Sequence, residues 1–135
     1  MKVGLIGLGR MGEGMSRRMI NDGIEVYGYR RNYQKAKESE ERGYITRAID
    51  SLENLVKVVH YQDALVGNAP GIFQLVIPAE LVEDTINELL PLLGDGDIII
   101  DHGNSNFKDS RRRAERLSKL GIQYIDCGTS GGVYG

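Results

Sequence analysis

Sulfur chemistry is nearly absent from this 135-residue chain. Its single cysteine, Cys127, cannot form an internal disulfide, and the spacing pattern of a zinc site is missing. No apolar run approaches the roughly 20 residues of a membrane-spanning helix. The first residues pass straight into a strand-like segment, with neither a basic leader nor a cleavable apolar stretch. The formal charge is only −2, which supplies no bulk field to attract nucleic acid or an anionic membrane. The expectation is a soluble protein of a reducing compartment, the cytoplasm, with no metal and with neither nucleic acid nor membrane as partner.

Glycine, by contrast, is plentiful. Eighteen glycines exceed the usual background of about 7%, and many fall where a strand-like run gives way to a helical one. That placement suits a backbone that approaches a ligand closely. Hydrophobic residues at 41% and charged residues at 27% are ordinary for a globular chain, and the length fits one domain, residues 1–135, with a core of its own.

Strand-like and helical patterns alternate along the chain. KVGLIG (Lys2–Gly7), IEVYGY (Ile24–Tyr29), YIT (Tyr44–Thr46), GIFQLVI (Gly71–Ile77), GDGDIIIDHG (Gly94–Gly103) and IQYIDC (Ile122–Cys127) read as strands or turn-plus-strand segments. Helices are expected over Arg10–Asp22, Tyr33–Arg42, Ser51–Val56 with Ser51 as N-cap, Glu80–Leu93 and Asn106–Leu120. His60–Pro70 has mixed character and reads as a surface excursion. The order predicts an α/β fold, a doubly wound parallel sheet with right-handed crossovers. Ligands of such sheets lie outside the carboxyl ends of the strands.

GLGRMG (Gly7, Leu8, Gly9, Arg10, Met11, Gly12) is a G-x-G-x-x-G that follows a strand and opens a helix. In that context the first glycine makes the tight turn, the second admits a pyrophosphate, and the third lets helix and strand pack closely. The helix N-terminus adds free N–H groups and the positive end of its dipole. This is a Rossmann-type dinucleotide site. At the end of the second strand, where an NAD domain usually carries Asp or Glu for the ribose hydroxyls, the chain has Tyr29-Arg30-Arg31-Asn32. A guanidinium there can pair with the 2′-phosphate of NADP, so NADP is favoured over NAD; the bland reading is two solvated arginines. The Met11/Met15/Met19 stripe reads as core packing, with Met11 inside the cofactor turn.

GLGRMG, the Arg-Asn after strand two, DHGNSNFKDSRRR and the final GTSGG together resemble the N-terminal domain of the decarboxylating 6-phosphogluconate dehydrogenases, in the β-hydroxyacid dehydrogenase group. The similarity runs from Met1 to Gly135, and the family's pattern DGGNS-x-x-x-D-x-x-RR falls on Asp101–Arg113. The resemblance implies oxidative decarboxylation of 6-phosphogluconate to ribulose 5-phosphate and CO2 with NADP, a step of the pentose phosphate pathway. By position it implies that Gly7–Gly12 hold the pyrophosphate and that Arg30, Arg31 and Asn32 surround the 2′-phosphate. Val76, Ile77 and Pro78 would border the cofactor, Asn104 would stand between nicotinamide and substrate, and Ser130, Gly131 and Gly132 would bind the sugar acid. Asn104 can donate and accept at once, and a Ser-Gly-Gly turn exposes backbone N–H groups to a carboxylate. The alternatives are a helix cap at Asn104-Ser105, with Ser105 capping while Asn104 faces the ligand, and a frayed terminus at Ser130–Gly132.

The chain departs from the family at His102, where a glycine is usual, at Arg30, where Asn or Asp is common, and in a longer His60–Pro70 connection. The family's general base (Lys) and general acid (Glu) follow GTSGG and have no counterpart in these 135 residues, nor has its helical second domain. The expectation is therefore a chain that binds NADP without turning over substrate, with no catalytic residue of its own, and that self-associates through surface the second domain would cover. Two other readings remain: a 3-hydroxyisobutyrate-type dehydrogenase fragment, and a non-catalytic NADP-sensing or interaction module. Arg111–Arg113 read as a solvated helix surface, because three consecutive helical positions cannot share a face.

Overall fold

The structure, a computed structural model, describes residues 1–127. Six short strands make one parallel sheet. They are β1 (Lys2–Ile6), β2 (Glu25–Tyr29), β3 (Arg47–Ile49), β6 (Ile72–Leu75), β7 (Ile98–Asp101) and β8 (Gln123–Asp126), in spatial order β3-β2-β1-β6-β7-β8. β4 (Tyr61–Asp63) and β5 (Gly67–Asn68) form a separate antiparallel hairpin. The helices are α1 (Arg10–Asn21), α2 (Tyr33–Glu41), α3 (Leu52–His60), α4 (Ala79–Leu89) and α5 (Phe107–Ser118). The expected doubly wound α/β fold is present.

Alternation along the strands builds two cores. Val3 and Leu5 of β1 and Val26 of β2 join Leu8, Ala36 and Ile45 on one face, beneath α1 and α2. Ile6, Tyr27, Phe73, Leu75 and Ile99 join Leu55, Val59, Val82, Ile86, Leu89 and Leu117 on the other, beneath α3, α4 and α5. Successive residues point to opposite faces, so a strand covered by helices on both sides is largely apolar, with Gln74 of β6 the buried polar exception. That is why β1 and β6 carry no pattern of polar alternation.

Three expected boundaries shift, each for a local reason. The third strand is Arg47–Ile49 instead of Tyr44–Thr46. Gly43, with φ 76°, and Tyr44 are spent in closing α2, the Tyr44 amide donating to Ser39 O at 2.9 Å. Thr46 then meets β2 through its hydroxyl as well as its backbone: Thr46 Oγ1 accepts from Val26 N at 2.9 Å. α3 runs on to His60, past the expected end at Val56, because Val56 and Val59 are buried on the core side. α4 gives way at Leu90–Leu92 to a 3-10 turn containing Pro91.

The excursion after α3 is the β4–β5 hairpin, with Leu65 at its tip almost wholly exposed. Asp63 Oδ1 accepts from the amides of Leu65 at 2.9 Å and Val66 at 2.7 Å, which shapes the turn. Its base is held by Asp97, a buried carboxylate that meets His60 Nε2 at 2.9 Å and accepts from the amides of Gly71 and Gly94 at 2.8 Å.

Candidate functional site

β1 lies between β2 and β6, and the chain leaves it in one direction toward β2 and β3 and returns on the other side at β6. The crevice at such a reversal, beyond the carboxyl ends of the strands, is where this architecture accepts ligands. The Gly7–Gly12 turn occupies it. Gly7 has φ 100°, and a Cβ there would stand 2.2 Å from Val76 O. A Cβ on Gly12 would stand 2.2 Å from Gly7 O, so the helix can approach the turn only without one. At Gly9 a Cβ would meet nothing within 4 Å. The middle glycine therefore faces open space. Gly9 is also the N-cap of α1 and brings no side chain to the first turn, leaving that end open to an anion. This fits a pyrophosphate.

The turn is stitched to the end of β2. Gly7 N donates to Tyr29 O at 3.0 Å, the buried Leu8 side chain fills the space over Gly28, and Arg30 Nη1 donates to Leu8 O at 3.3 Å. Arg30, expected beside the 2′-phosphate, thus turns its guanidinium toward the glycine turn. Arg31 and Arg10 are exposed. Asn32 spends its side chain as the N-cap of α2, Oδ1 accepting from Lys35 N at 3.2 Å. Of the Met11/Met15/Met19 stripe, Met19 packs on the α1-side core, and Met11 instead enters the crevice.

A cleft of about 230 Å³ opens next to the turn, lined by Met11, Val76, Ile77, Pro78, His102, Gly103 and Asn104. Three segments far apart in sequence meet in it. Asn104 stands at its edge with φ 58°, a left-handed backbone that asparagine tolerates better than most residues. Ser105 does not cap α5. Its Oγ donates to Asp101 Oδ2 at 2.9 Å, and the cap is Asn106, whose Oδ1 accepts from Lys108 N at 2.8 Å. His102 is half-buried, its Nε2 within 2.9 Å of Gln74 Oε1. Burial holds the His102 imidazole below its usual range, against an opposing pull from the Asp101 charge, so the ring is neutral at pH 7.

Beneath the cleft lies a group of charges that sequence reasoning missed. Asp101, fully buried at the end of β7, accepts from Gly103 N at 2.7 Å, from Ser105 Oγ and from Tyr124 OH. Arg113 Nη1 stands 3.9 Å from Asp101 Oδ2, and Arg113 Nε donates to Glu83 Oε1 at 2.9 Å. Of the three arginines expected in solvent, Arg111 and Arg112 are there; the Arg113 side chain is only 7% exposed. The signal was available, since Ser110, Arg113 and Leu117 recur at helical spacing on the buried face of α5. Burial, followed by the bond to Asp101, pushes the Tyr124 phenol up to about 12. The Arg113 hydrogen bond holds the Glu83 carboxyl below its usual value.

Ser130, Gly131 and Gly132 lie outside the described residues. Among the described residues no helix is long and apolar enough to cross a membrane, and no three His, Cys, Asp or Glu side chains are grouped to hold a metal ion.

Comparison with known proteins gives this geometry a context. The model of the NAD binding domain of 6-phosphogluconate dehydrogenase matches residues 2–135. A decarboxylating 6-phosphogluconate dehydrogenase of Candida albicans is 40% identical over 137 residues, covering 98% of this chain and 25% of its own. An NAD(+)-dependent decarboxylating 6-phosphogluconate dehydrogenase of Haloferax volcanii is 36% identical over 135 residues, covering 100% of this chain and 41% of its own. Among solved structures, the Plasmodium falciparum 6-phosphogluconate dehydrogenase, described with its cofactor NADP+ and its substrate 6-phosphogluconate, superposes with a TM-score of 0.76 at 27% identity, over 92% of this chain and 26% of that one. The chain thus spans between a quarter and about two-fifths of the length of these proteins.

Proposed function

The chain belongs to the family of NAD-binding domains of 6-phosphogluconate dehydrogenase, and from that premise we propose that it is the NADP-binding part of a decarboxylating 6-phosphogluconate dehydrogenase of the cytoplasm. The observation that carries the reading is the pairing of two features at one crevice. An open glycine turn lies at the reversal point of the sheet, and two arginines without a carboxylate follow β2.

In this reading the bound dinucleotide supplies the hydride acceptor. The amides at the start of α1 hold its pyrophosphate, with Gly9 giving the room. Arg31, exposed beside the turn, takes the 2′-phosphate, while Arg30 braces the turn through Leu8 O and adds positive charge nearby. Met11, Val76, Ile77 and Pro78 border the nicotinamide end. Asn104 donates and accepts between the carboxamide and the substrate hydroxyl, and Ser130, Gly131 and Gly132 hold 6-phosphogluconate. Turnover further requires an acid and a base within hydrogen-bond reach of the reacting atoms, a role this reading gives to none of the described residues.

Calorimetric titration with NADPH and NADH in parallel tests the reading. Tighter binding of NADPH is expected, with the preference lost in Arg31→Ala and NADH affinity left alone. Equal affinities would remove the 2′-phosphate site and bring the chain closer to its NAD(+)-dependent relative. Binding of neither would favour an interaction module without cofactor chemistry.

A further inference from the structure

Asn104 is held from both sides by one carboxylate. Asp101 Oδ1 accepts from Gly103 N at 2.7 Å and Asp101 Oδ2 accepts from Ser105 Oγ at 2.9 Å, so the residues immediately before and after Asn104 are bonded to the same group. Among the described residues Asn104 is the one non-glycine with positive φ, a backbone that persists only where its surroundings over-determine it. Gly103 packs so closely that a side chain there is excluded, a Cβ standing 2.9 Å from both Asp101 Oδ1 and Ile77 O.

The carboxylate is itself held by several elements. Asp101 is fully buried, its carbonyl accepts from Cys127 N at 2.9 Å, and the following residue is tied to β6 by His102 N donating to Leu75 O at 2.8 Å. Tyr124 OH on β8 and the Arg113 guanidinium on α5 hold it from below. A shift of Asn104 would strain the bonds that tie Gly103 and Ser105 to this carboxylate. Around the 230 Å³ cleft Met11, Val76, Ile77 and Pro78 offer apolar surface, while Asn104 and His102 bring polar side chains, and His102 Nε2 is already engaged with Gln74 Oε1 at 2.9 Å.

We propose that Asp101 is a positioning residue: it acts through Gly103 and Ser105 to fix the Asn104 side chain at the cleft edge, so that the nicotinamide end of the dinucleotide is accepted in one orientation. The proposal rests on the dinucleotide reading and adds a division within it. The glycine turn and the end of β2 grip the adenosine and pyrophosphate, and Asp101 governs the nicotinamide end alone.

That division is what an experiment can read. The full chain is titrated with NADPH and with 2′-phospho-ADP-ribose, which keeps every part of the cofactor except the nicotinamide. Ser105→Ala removes one tether and Asp101→Asn perturbs both; Ser105→Thr keeps the hydroxyl. Ser105→Ala is expected to weaken NADPH by about 3- to 10-fold, the scale of one lost hydrogen bond. Asp101→Asn is expected to weaken it further, Ser105→Thr to restore it, and 2′-phospho-ADP-ribose to bind all of them within about twofold of wild type. Retained binding of that ligand also certifies that each variant is folded. Equal losses for both ligands would reduce Asp101 to a structural role and overturn the proposal, as would NADPH affinity unchanged in Ser105→Ala and Asp101→Asn. Wild-type chain that binds neither ligand would sink the dinucleotide reading itself.

Discussion

Tyr124 should announce its surroundings at alkaline pH. Its phenol is buried and donates to a carboxylate that sees no solvent, and its pKa is pushed from 10 to about 12. The unfolded chain ionises near the ordinary value, so between these limits unfolding releases a proton that the fold had kept. The stabilisation is whole below pH 10 and drains away as pH rises through 12. Two pK units correspond to about 3 kcal/mol, a sizeable share of the roughly 5–15 kcal/mol that a domain possesses. Tyr124→Phe removes the donor and leaves Asp101 with Gly103 N and Ser105 Oγ as remaining hydrogen-bond donors. At pH 8 that should cost about 1.5–3 kcal/mol, as for a hydrogen bond to a charged group. Urea unfolding followed by circular dichroism, repeated from pH 7.5 to 11, measures the gap between the two proteins. The other tyrosines and the lysines titrate in both and cancel in the difference. The gap should be widest below pH 10 and then narrow by about 1.4 kcal/mol per pH unit. A gap that stays constant to pH 11 would mean that Tyr124 ionises like a phenol in water. No gap at pH 8 would mean that the bond to Asp101 contributes nothing. Either result refutes the reasoning.

The glycine turn predicts a contrast: Gly7→Ala, with φ 100° and a Cβ 2.2 Å from Val76 O, should lose about 2 kcal/mol or more in urea unfolding, whereas Gly9→Ala should stay within about 1 kcal/mol of wild type and lose dinucleotide affinity instead. His102 should titrate below 6.5 in a proton NMR series; since the fold favours the neutral ring, stability is expected to be full above 6.5 and to fall as pH drops toward the depressed value, a slope that His102→Gln should abolish. Asp97→Ala should cost about 3–5 kcal/mol, because it orphans the amides of Gly71 and Gly94 and unpairs His60, yet the folded protein should bind dinucleotide unchanged, as these groups sit at the opposite end of the sheet. A binding loss in Asp97→Ala protein shown to be folded would contradict that separation.

How much of this could be read from the chain alone depended on the range of the interactions involved. β1 and the glycine turn are contiguous, and their requirements are local: a φ that only glycine reaches easily at Gly7, and a backbone too close for a Cβ at Gly12. Such constraints act on residue identity directly and stand out against any background. The third strand was misplaced because its register depends on where α2 stops, and a threonine hydroxyl at Thr46 takes part in the bonding to β2. No periodicity encodes that. The cap of α5 went to Asn106 instead of Ser105 because Ser105 was claimed by a carboxylate four residues earlier, a competition that composition does not show.

The charged group beneath the cleft was hidden for a different reason. Arg113 sits in a run of three arginines; the helical turn of about 100° per residue separates their faces, but which of those faces is buried depends on what α4 and β7 bring against the helix. Arg111 and Arg112 face solvent while Arg113 lies against Glu83 from α4 and Asp101 from β7. Those partners come from other elements, Glu83 standing 30 residues before it and Asp101 closing β7. The crevice therefore has two kinds of wall. The side formed by the turn is specified by neighbours in sequence and should keep its shape in any chain that preserves the glycines. The side formed by Asn104 is specified by Asp101, Tyr124, Arg113 and Glu83 together, drawn from four elements. Substitutions at any of these four should alter it together, and a double-mutant cycle between Arg113 and Tyr124 should therefore be non-additive, since both act on the one buried carboxylate.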